Sequence, residues 1–330
     1  MLKLKNDLVT KNKQKGDKMK KKVNYKKSIL KILGIILSLL ILWFMGNQFV
    51  KNWNDIKPYL SNMKIGWFVI SVIMYAIVFL LTGYNWSYLL WKMDSKLGKI
   101  DYLDIHMTSA LARYIPGGIW NIVGKAYMCT NKGVDKAATT VSMILEYVFQ
   151  IISSALFLLF FIPILLRNNA NSFWIIIIAV ILIILTVIFI PNIIKVGIKI
   201  ISKLFKDSTG EIKLERKYTY NILGRYVGVW LLTGIGLIIL VVAFSKVEVL
   251  QGIYLILSYP ISWVIGFLSP SPNGMGIREG VLGMLLGDTY NYELLLLITL
   301  TSRIWTILGE IVAFVGFKLV YVISKRGKIK

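Results

Sequence analysis

Residues 269–280 read SPSPNGMGIREG and lie between two long apolar runs. Hydrocarbon accepts neither irregular backbone nor charge, so non-helical chain at membrane depth persists only where protein buries it or where it lines a wet cavity. A second interruption stands earlier, where Arg113 to Asn121 read RYIPGGIWN, again between apolar stretches. Pro116 is followed thirty residues later by Glu146, inside a long apolar run. Pro272 is followed thirty-one residues later by Arg303, in the same setting. Paired Gly/Pro-interrupted segments at corresponding places in two halves are the sequence mark of a transporter's binding site.

The rest of the chain supports a membrane setting. It has 330 residues, 56% of them hydrophobic, and a mean hydropathy of +0.67. The net charge of +23 would suggest nucleic acid in a soluble protein. Here the basic residues gather in the N-terminal arm, one central loop and the C-terminal tail. There they set orientation and meet anionic lipid, and no nucleic-acid partner is expected. The single Cys129 excludes an internal disulfide and a cysteine metal cluster. The single His106 excludes a multi-histidine site, and its expected place is structural, at the membrane interface. No P-loop, dinucleotide-binding glycine pattern or nucleophile elbow occurs, and no cofactor or metal is expected.

The expected fold is an all-α integral membrane protein with about six full spans and two re-entrant broken hairpins, arranged as an inverted repeat. Eight full spans fit the same pattern. Residues 1–28 form a disordered basic arm, 29–323 the membrane domain and 324–330 a basic tail, with both ends cytoplasmic. The spans are 29–50, 67–91, 137–166, 173–190, 220–244 and 293–323. The hairpins are 102–128 and 252–286, cut at Pro116-Gly117-Gly118 and at 269–280. Repeat-like halves, 66–166 and 219–323, are linked through a basic amphipathic helix at 193–207. Its lysines 195, 199, 203 and 206 recur at helical spacing, as in helices that lie on anionic lipid. Gly224 and Gly228 form a GxxxG, which predicts close helix packing. The glycines 276, 280, 283 and 287 predict a face that another backbone approaches.

Ionisable residues inside spans cost at least about 2.5–3.5 kcal/mol each, so each needs a reason. The candidates for substrate contact are Arg113, Lys125, Glu146, Arg278, Glu279, Arg303 and Glu310. With them stand the break residues Pro116, Gly117, Gly118, Pro272, Gly274 and Gly276. Ser142 and Gln150 flank Glu146 one turn to either side, and Arg303 and Glu310 share one helix face. In a functional reading the arginines grip a phosphate or other anion with their planar fork. Helix N-termini at Gly118 and Gly276 then add partial positive charge. The glutamates bind an amine, carry a proton or pin the arginines. In a structural reading these charges only neutralise one another.

The pattern RYIPGGIW, the intramembrane Glu146 and the block SPNGMGIREG resemble the membrane region of the lysylphosphatidylglycerol synthase/flippase family, over roughly residues 30–325. The most specific part is Pro272, Gly274, Gly276, Arg278 and Glu279. Asn273 stands where that family commonly has glycine after the proline, a departure that bears on substrate identity more than on fold. The resemblance implies lipid translocation, with the headgroup passing a polar groove while the tails stay in the bilayer. The soluble aminoacyltransferase domain of bifunctional relatives is not expected here. The cargo would then be a lipid made by a separate enzyme: an aminoacylated phospholipid or a polyprenyl-phosphate-linked glycolipid for the cell envelope. Expected partners are membrane lipids, that enzyme and a second copy in a homodimer, at the cytoplasmic membrane. The alternative is a polyprenyl-phosphate-dependent membrane glycosyltransferase, which would need a carboxylate base and usually an acidic metal cluster. A non-catalytic membrane partner protein would tolerate change at Arg278 and Glu279.

Overall fold

The computed structural model describes residues 40, 43–44, 46–114, 120–165, 172–202, 215–269 and 271–326. The basic arm, most of the first span, Pro116-Gly117-Gly118, the loop after residue 165, residues 203–214 and the last four residues lie outside them. Ten α-helices are named here: α1 (Trp53–Ser61), α2 (Ile65–Met93), α3 (Lys99–Ala110), α4 (Trp120–Asn131), α5 (Lys136–Leu165), α6 (Ser172–Ser202), α7 (Arg216–Val242), α8 (Val249–Leu268), α9 (Ile277–Leu286) and α10 (Tyr292–Arg326). Short 3-10 turns, Leu111–Tyr114 and Pro272–Gly274, sit at the two expected interruptions.

Helices α2, α5, α7, α8 and α10 are long and apolar enough to cross a membrane. Helix α6 is a sixth if its segments 180–186 and 188–197, bent by 42°, count as one. The chain is an all-α, multi-pass membrane protein. The expected separation of a span ending at 190 from a helix starting at 193 is corrected: α6 runs through both, with Pro191 inside it. Proline lacks an N–H and its ring collides with the carbonyl four residues back, so a helix bends there instead of stopping. The residue four back is Val187, where the two segments meet. Lys195 and Lys199 are exposed and Ile194 is buried, as an amphipathic helix requires.

A few hydrogen bonds fix the relative directions of α2, α7 and α10. The Lys64 N–H donates to the Ala243 carbonyl (2.8 Å), and the Tyr218 hydroxyl donates to the Tyr88 carbonyl (3.1 Å). Helices α2 and α7 are therefore antiparallel. The Trp305 indole donates to the Ser71 carbonyl (2.7 Å), and Lys318 near the end of α10 bonds Asp104 of α3. Helix α10 thus runs parallel to α2.

The hairpins enter from opposite ends. The α3–α4 hairpin is closed at its base, where α2 finishes, by Lys96 Nζ on the Gly133 carbonyl (2.7 Å) and the Asp135 N–H on Asp94 Oδ2 (2.8 Å). The α8–α9 hairpin starts where α7 finishes, and Gln251 Nε2 reaches the Thr289 carbonyl (3.4 Å). Its tip closes where Gly274 meets Gly266. From Gln251 to Gly266 the leg rises about 22 Å at ~1.5 Å per residue, short of the ~30 Å hydrocarbon core. Helix α8 is itself long enough to span, and the ten-residue α9 returns beside it to complete the hairpin. Span, hairpin and span thus occur twice, as α2, α3–α4, α5 and as α7, α8–α9, α10, in opposite directions.

Close packing uses glycines other than those the motifs favoured. A side chain at Gly234 would meet the Ile256 Cα of α8 at 2.6 Å, and one at Gly309 would meet Tyr75 of α2 at 2.6 Å. At Gly224 and Gly228 nothing lies within 4 Å. The GxxxG expectation is therefore corrected for the described residues: α7 turns its Gly234 face, about 80° around the helix from Gly224, toward α8. The glycine face of α9 is also less crowded than expected. Gly280 meets nothing within 4 Å, and Gly283 only a Thr299 methyl at 3.6 Å.

These environments predict opposite outcomes for one substitution. Gly309→Ala forces Tyr75 aside and is expected to cost about 1–3 kcal/mol, read as a lower midpoint of thermal unfolding in detergent. Gly224→Ala is expected to leave the midpoint unchanged or slightly raised, since alanine also favours the helix. Equal effects at both positions would contradict the α2–α10 contact.

Candidate functional site

The two hairpins face one cavity at mid-depth. Phe79 lies midway along α2, and the Arg113 guanidinium sits 5.3 Å from its ring centroid. Around this level a cavity of about 340 Å³ is lined by both tips and by α2, α5 and α7. Its charged lining is Arg113, Lys125, Arg278 and Glu146. Three cations against one carboxylate make the wall electropositive. Aromatic rings, including Tyr147, Trp230, Tyr259 and Trp263, supply much of the remaining surface.

Each charge is held by a specific neighbour. On α4, Lys125 donates to Glu146 Oε2 of α5 at 2.6 Å, and its ammonium lies 4.4 Å from the Trp86 ring centroid. Lys125 and Glu146 are only 4% and 3% exposed, so removing either would leave the other as an uncompensated buried charge. Arg113 bonds the Ala110 carbonyl through Nε (3.0 Å) and Glu310 Oε1 of α10 through Nη1 (3.1 Å). That pair joins the first hairpin to the last span.

The second hairpin repeats the scheme with the signs exchanged. Glu279 of α9 faces Arg303 of α10, Oε1 to Nη1 at 3.8 Å. The other Glu279 oxygen accepts the Gly276 N–H at 2.6 Å. The N-terminus of α9 therefore already holds an anion, the side chain of its own first turn. Gly276 (φ 78°) and Gly274 (φ 66°) adopt the left-handed conformation that glycine takes without strain. Asn273 joins them at φ 52°. Asparagine is among the few other residues that visit this region routinely, so the turn a glycine would make freely is kept.

Arg278 differs from the other three arginine and lysine candidates. It donates to the Tyr259 hydroxyl, and its guanidinium lies 4.6 Å from that ring's centroid. Among the described residues no carboxylate lies within 4 Å of it. Of the expected site residues, Arg113, Lys125, Glu146, Gly274 and Arg278 line the cavity. Glu310 stands behind Arg113, and Gly276, Glu279 and Arg303 form a cluster behind Arg278. Pro272 begins the turn beside Gly274. Pro116, Gly117 and Gly118 lie outside the described residues.

Several lining residues carried no strong signal in the sequence. His106 was expected at the interface, yet it is 2% exposed and lines the cavity, with Nδ1 3.7 Å from Glu146 Oε1. Gly83 of α2 explains the correction: the space its side chain would fill is taken by His106, Met107 and Leu103. Asn121 bonds the Tyr147 hydroxyl (3.1 Å). Gln150 also lines the cavity, whereas Ser142 is turned back onto the Thr139 carbonyl (2.8 Å). Among the described residues no three His, Cys, Asp or Glu side chains are grouped as a metal site.

Residues 31–313 match the family described as the lysylphosphatidylglycerol synthase TM region, and the chain belongs to that family. No curated protein matches it.

The buried pair makes a stability prediction. Glu146→Gln leaves Lys125 as an unpartnered buried cation, and is expected to cost about 3–5 kcal/mol. Lys125→Met combined with Glu146→Met removes both charges and is expected to recover most of that loss. Thermal unfolding of the three proteins in detergent checks it. A double variant no more stable than Glu146→Gln would show that the pair does not act as a unit.

Proposed function

We propose that this member of the lysylphosphatidylglycerol synthase TM-region family is a translocase for a charged, phosphate-bearing lipid. The observation that carries the reading is Arg278: an arginine at the cavity wall, beside a broken hairpin, with no carboxylate within 4 Å among the described residues. A guanidinium in that setting favours an anion from outside the protein, and its planar fork matches phosphate oxygens. The family's name is in keeping with a lipid-related role.

The headgroup enters the cavity while the tails remain in the bilayer. Arg278 and Arg113 meet the phosphate. Glu146, held by Lys125, offers a carboxylate to an amine on an aminoacylated headgroup; a sugar would meet Asn121, Gln150 and the aromatic walls instead. The Arg113–Glu310 contact ties the first hairpin to α10 and has to rearrange when one hairpin rocks against the other. With no nucleotide-binding motif in the sequence, transport runs downhill or with an ion gradient. In this reading the protein sits in the cell membrane with both termini in the cytoplasm and receives lipid from a separate synthetic enzyme.

Reconstitution into liposomes with headgroup-labelled lipids tests this. Loss of label to a membrane-impermeant quencher is followed for lysyl-phosphatidylglycerol, phosphatidylglycerol and a polyprenyl-phosphate lipid, with and without a proton gradient. One of these lipids is expected to move. Arg278→Ala should slow it roughly ten- to hundredfold, the scale of a lost charge-assisted hydrogen bond. Absence of movement for all three under either condition, or equal rates in Arg278→Ala, would overturn the proposal.

A further inference from the structure

Away from the cavity, three cations converge on one aromatic platform at the end where α2 finishes and α7 begins. Tyr88 and Trp91 are stacked, with centroids 6.2 Å apart and planes 17° apart. Tyr218 adds a third ring 5.3 Å from Tyr88, fixed by its hydroxyl on the Tyr88 carbonyl. Lys99 Nζ lies 4.2 Å from the Trp91 centroid and 4.9 Å from that of Tyr88. Lys92 Nζ lies 5.8 Å from Trp91 and 5.9 Å from Tyr218. The Arg225 guanidinium lies 4.6 Å from Tyr88. Among the described residues no carboxylate is within 4 Å of any of them. Arg225 uses Nε on the Asn221 side chain (2.8 Å), which adds no negative charge.

Like charges gathered on neutral rings repel one another, and a shared anion relieves them. We infer that Lys92, Lys99 and Arg225 bind the phosphate of an anionic membrane lipid, at a site separate from the central cavity. The surface beside Arg225 fits the rest of that molecule. Among the described residues nothing lies within 4 Å of a side chain added at Gly224 or Gly228 of α7, and Leu231 and Ile235 continue the same face, 43% and 39% exposed. An acyl chain laid along this trough starts beside the cations and runs toward mid-membrane. A second copy meeting the same face would bring its own Arg225 toward the first, so charge favours the lipid as occupant. Arginine and lysine at this level reach the interface along their apolar stems while the rings sit at headgroup depth.

Native mass spectrometry of the full chain, released from detergent containing equal phosphatidylglycerol and phosphatidylcholine, tests the site. The wild-type chain is expected to retain phosphatidylglycerol about tenfold over phosphatidylcholine. That preference should fall about tenfold in the Lys92→Gln/Lys99→Gln/Arg225→Gln variant. Gly224→Leu fills the trough, keeps the cations and should also lower retention; it serves if the triple variant does not fold. The wild-type preference should fade near 1 M salt, where the screening length falls to about 3 Å. A triple variant that folds and keeps the wild-type preference would overturn the inference. So would displacement of the lipid by excess glycerol phosphate binding in its place, which would mark a soluble-phosphate site. A dimer lost in Gly224→Leu with no lipid adduct in the wild type would assign the face to self-association instead.

Discussion

Hydrocarbon leaves a backbone group or a charge with no water to turn to, and this structure answers that demand by bringing two interruptions together. The 3-10 turn Leu111–Tyr114 of one hairpin and Pro272–Gly274 of the other both border one cavity at mid-membrane. The Arg113 side chain of one tip is satisfied by Glu310 of the final span, and the turn of the other is satisfied by Glu279 folding back onto Gly276. The other four membrane-length helices, α2, α5, α7 and α10, pack around them as a sleeve. The cavity lies between the two hairpins, lined by residues of both.

Inside the sleeve the charges are ordered by element. The returning leg of each hairpin is paired to the span after it, Lys125 with Glu146 and Glu279 with Arg303, and the polarity is reversed between the halves. The arrangement allows each half to neutralise itself locally while leaving the wall at the meeting point positive. The Arg303 cluster is turned away from the cavity, and so is Glu310, whose contribution is to hold Arg113. Arg278 is positioned differently: its neighbours are the ring and hydroxyl of Tyr259, a surface that orients a guanidinium without cancelling its charge.

Much of this was legible in the residues themselves. Pro and Gly between apolar runs marked both turns, and the spacing from Pro116 to Glu146 and from Pro272 to Arg303 placed an ionisable residue on the following span. Arg303 and Glu310, two turns apart on one helix, pair with Glu279 and Arg113 of the two hairpins, and neither lines the cavity. What periodicity could not show was which neighbour fills which space. His106 is drawn inward because Gly83 vacates room on another helix. The GxxxG at Gly224 is a local pattern whose partner has to come from elsewhere, while Gly234, in no recognised motif, meets Ile256. Pro191 looked like a boundary, yet a bend absorbs it. Tyr259 gave no sign, since a tyrosine in an apolar run reads first as a belt residue.

The Arg113–Glu310 contact has a consequence for how the protein is made. The two residues are 197 positions apart, so at synthesis rates of about 5–20 residues per second the carboxylate is translated roughly 10–40 seconds after the arginine. During that interval Arg113 would lack the Glu310 carboxylate that binds it in the finished fold, which makes mid-bilayer depth less favourable for the first hairpin than the membrane surface. Biogenesis therefore favours an order in which the first hairpin, though translated early, settles into the bilayer only as the last helix arrives. A truncation that removes α10 would deprive the chain of more than one span: it would also take away the Glu310 contact that ties the early hairpin to the bundle.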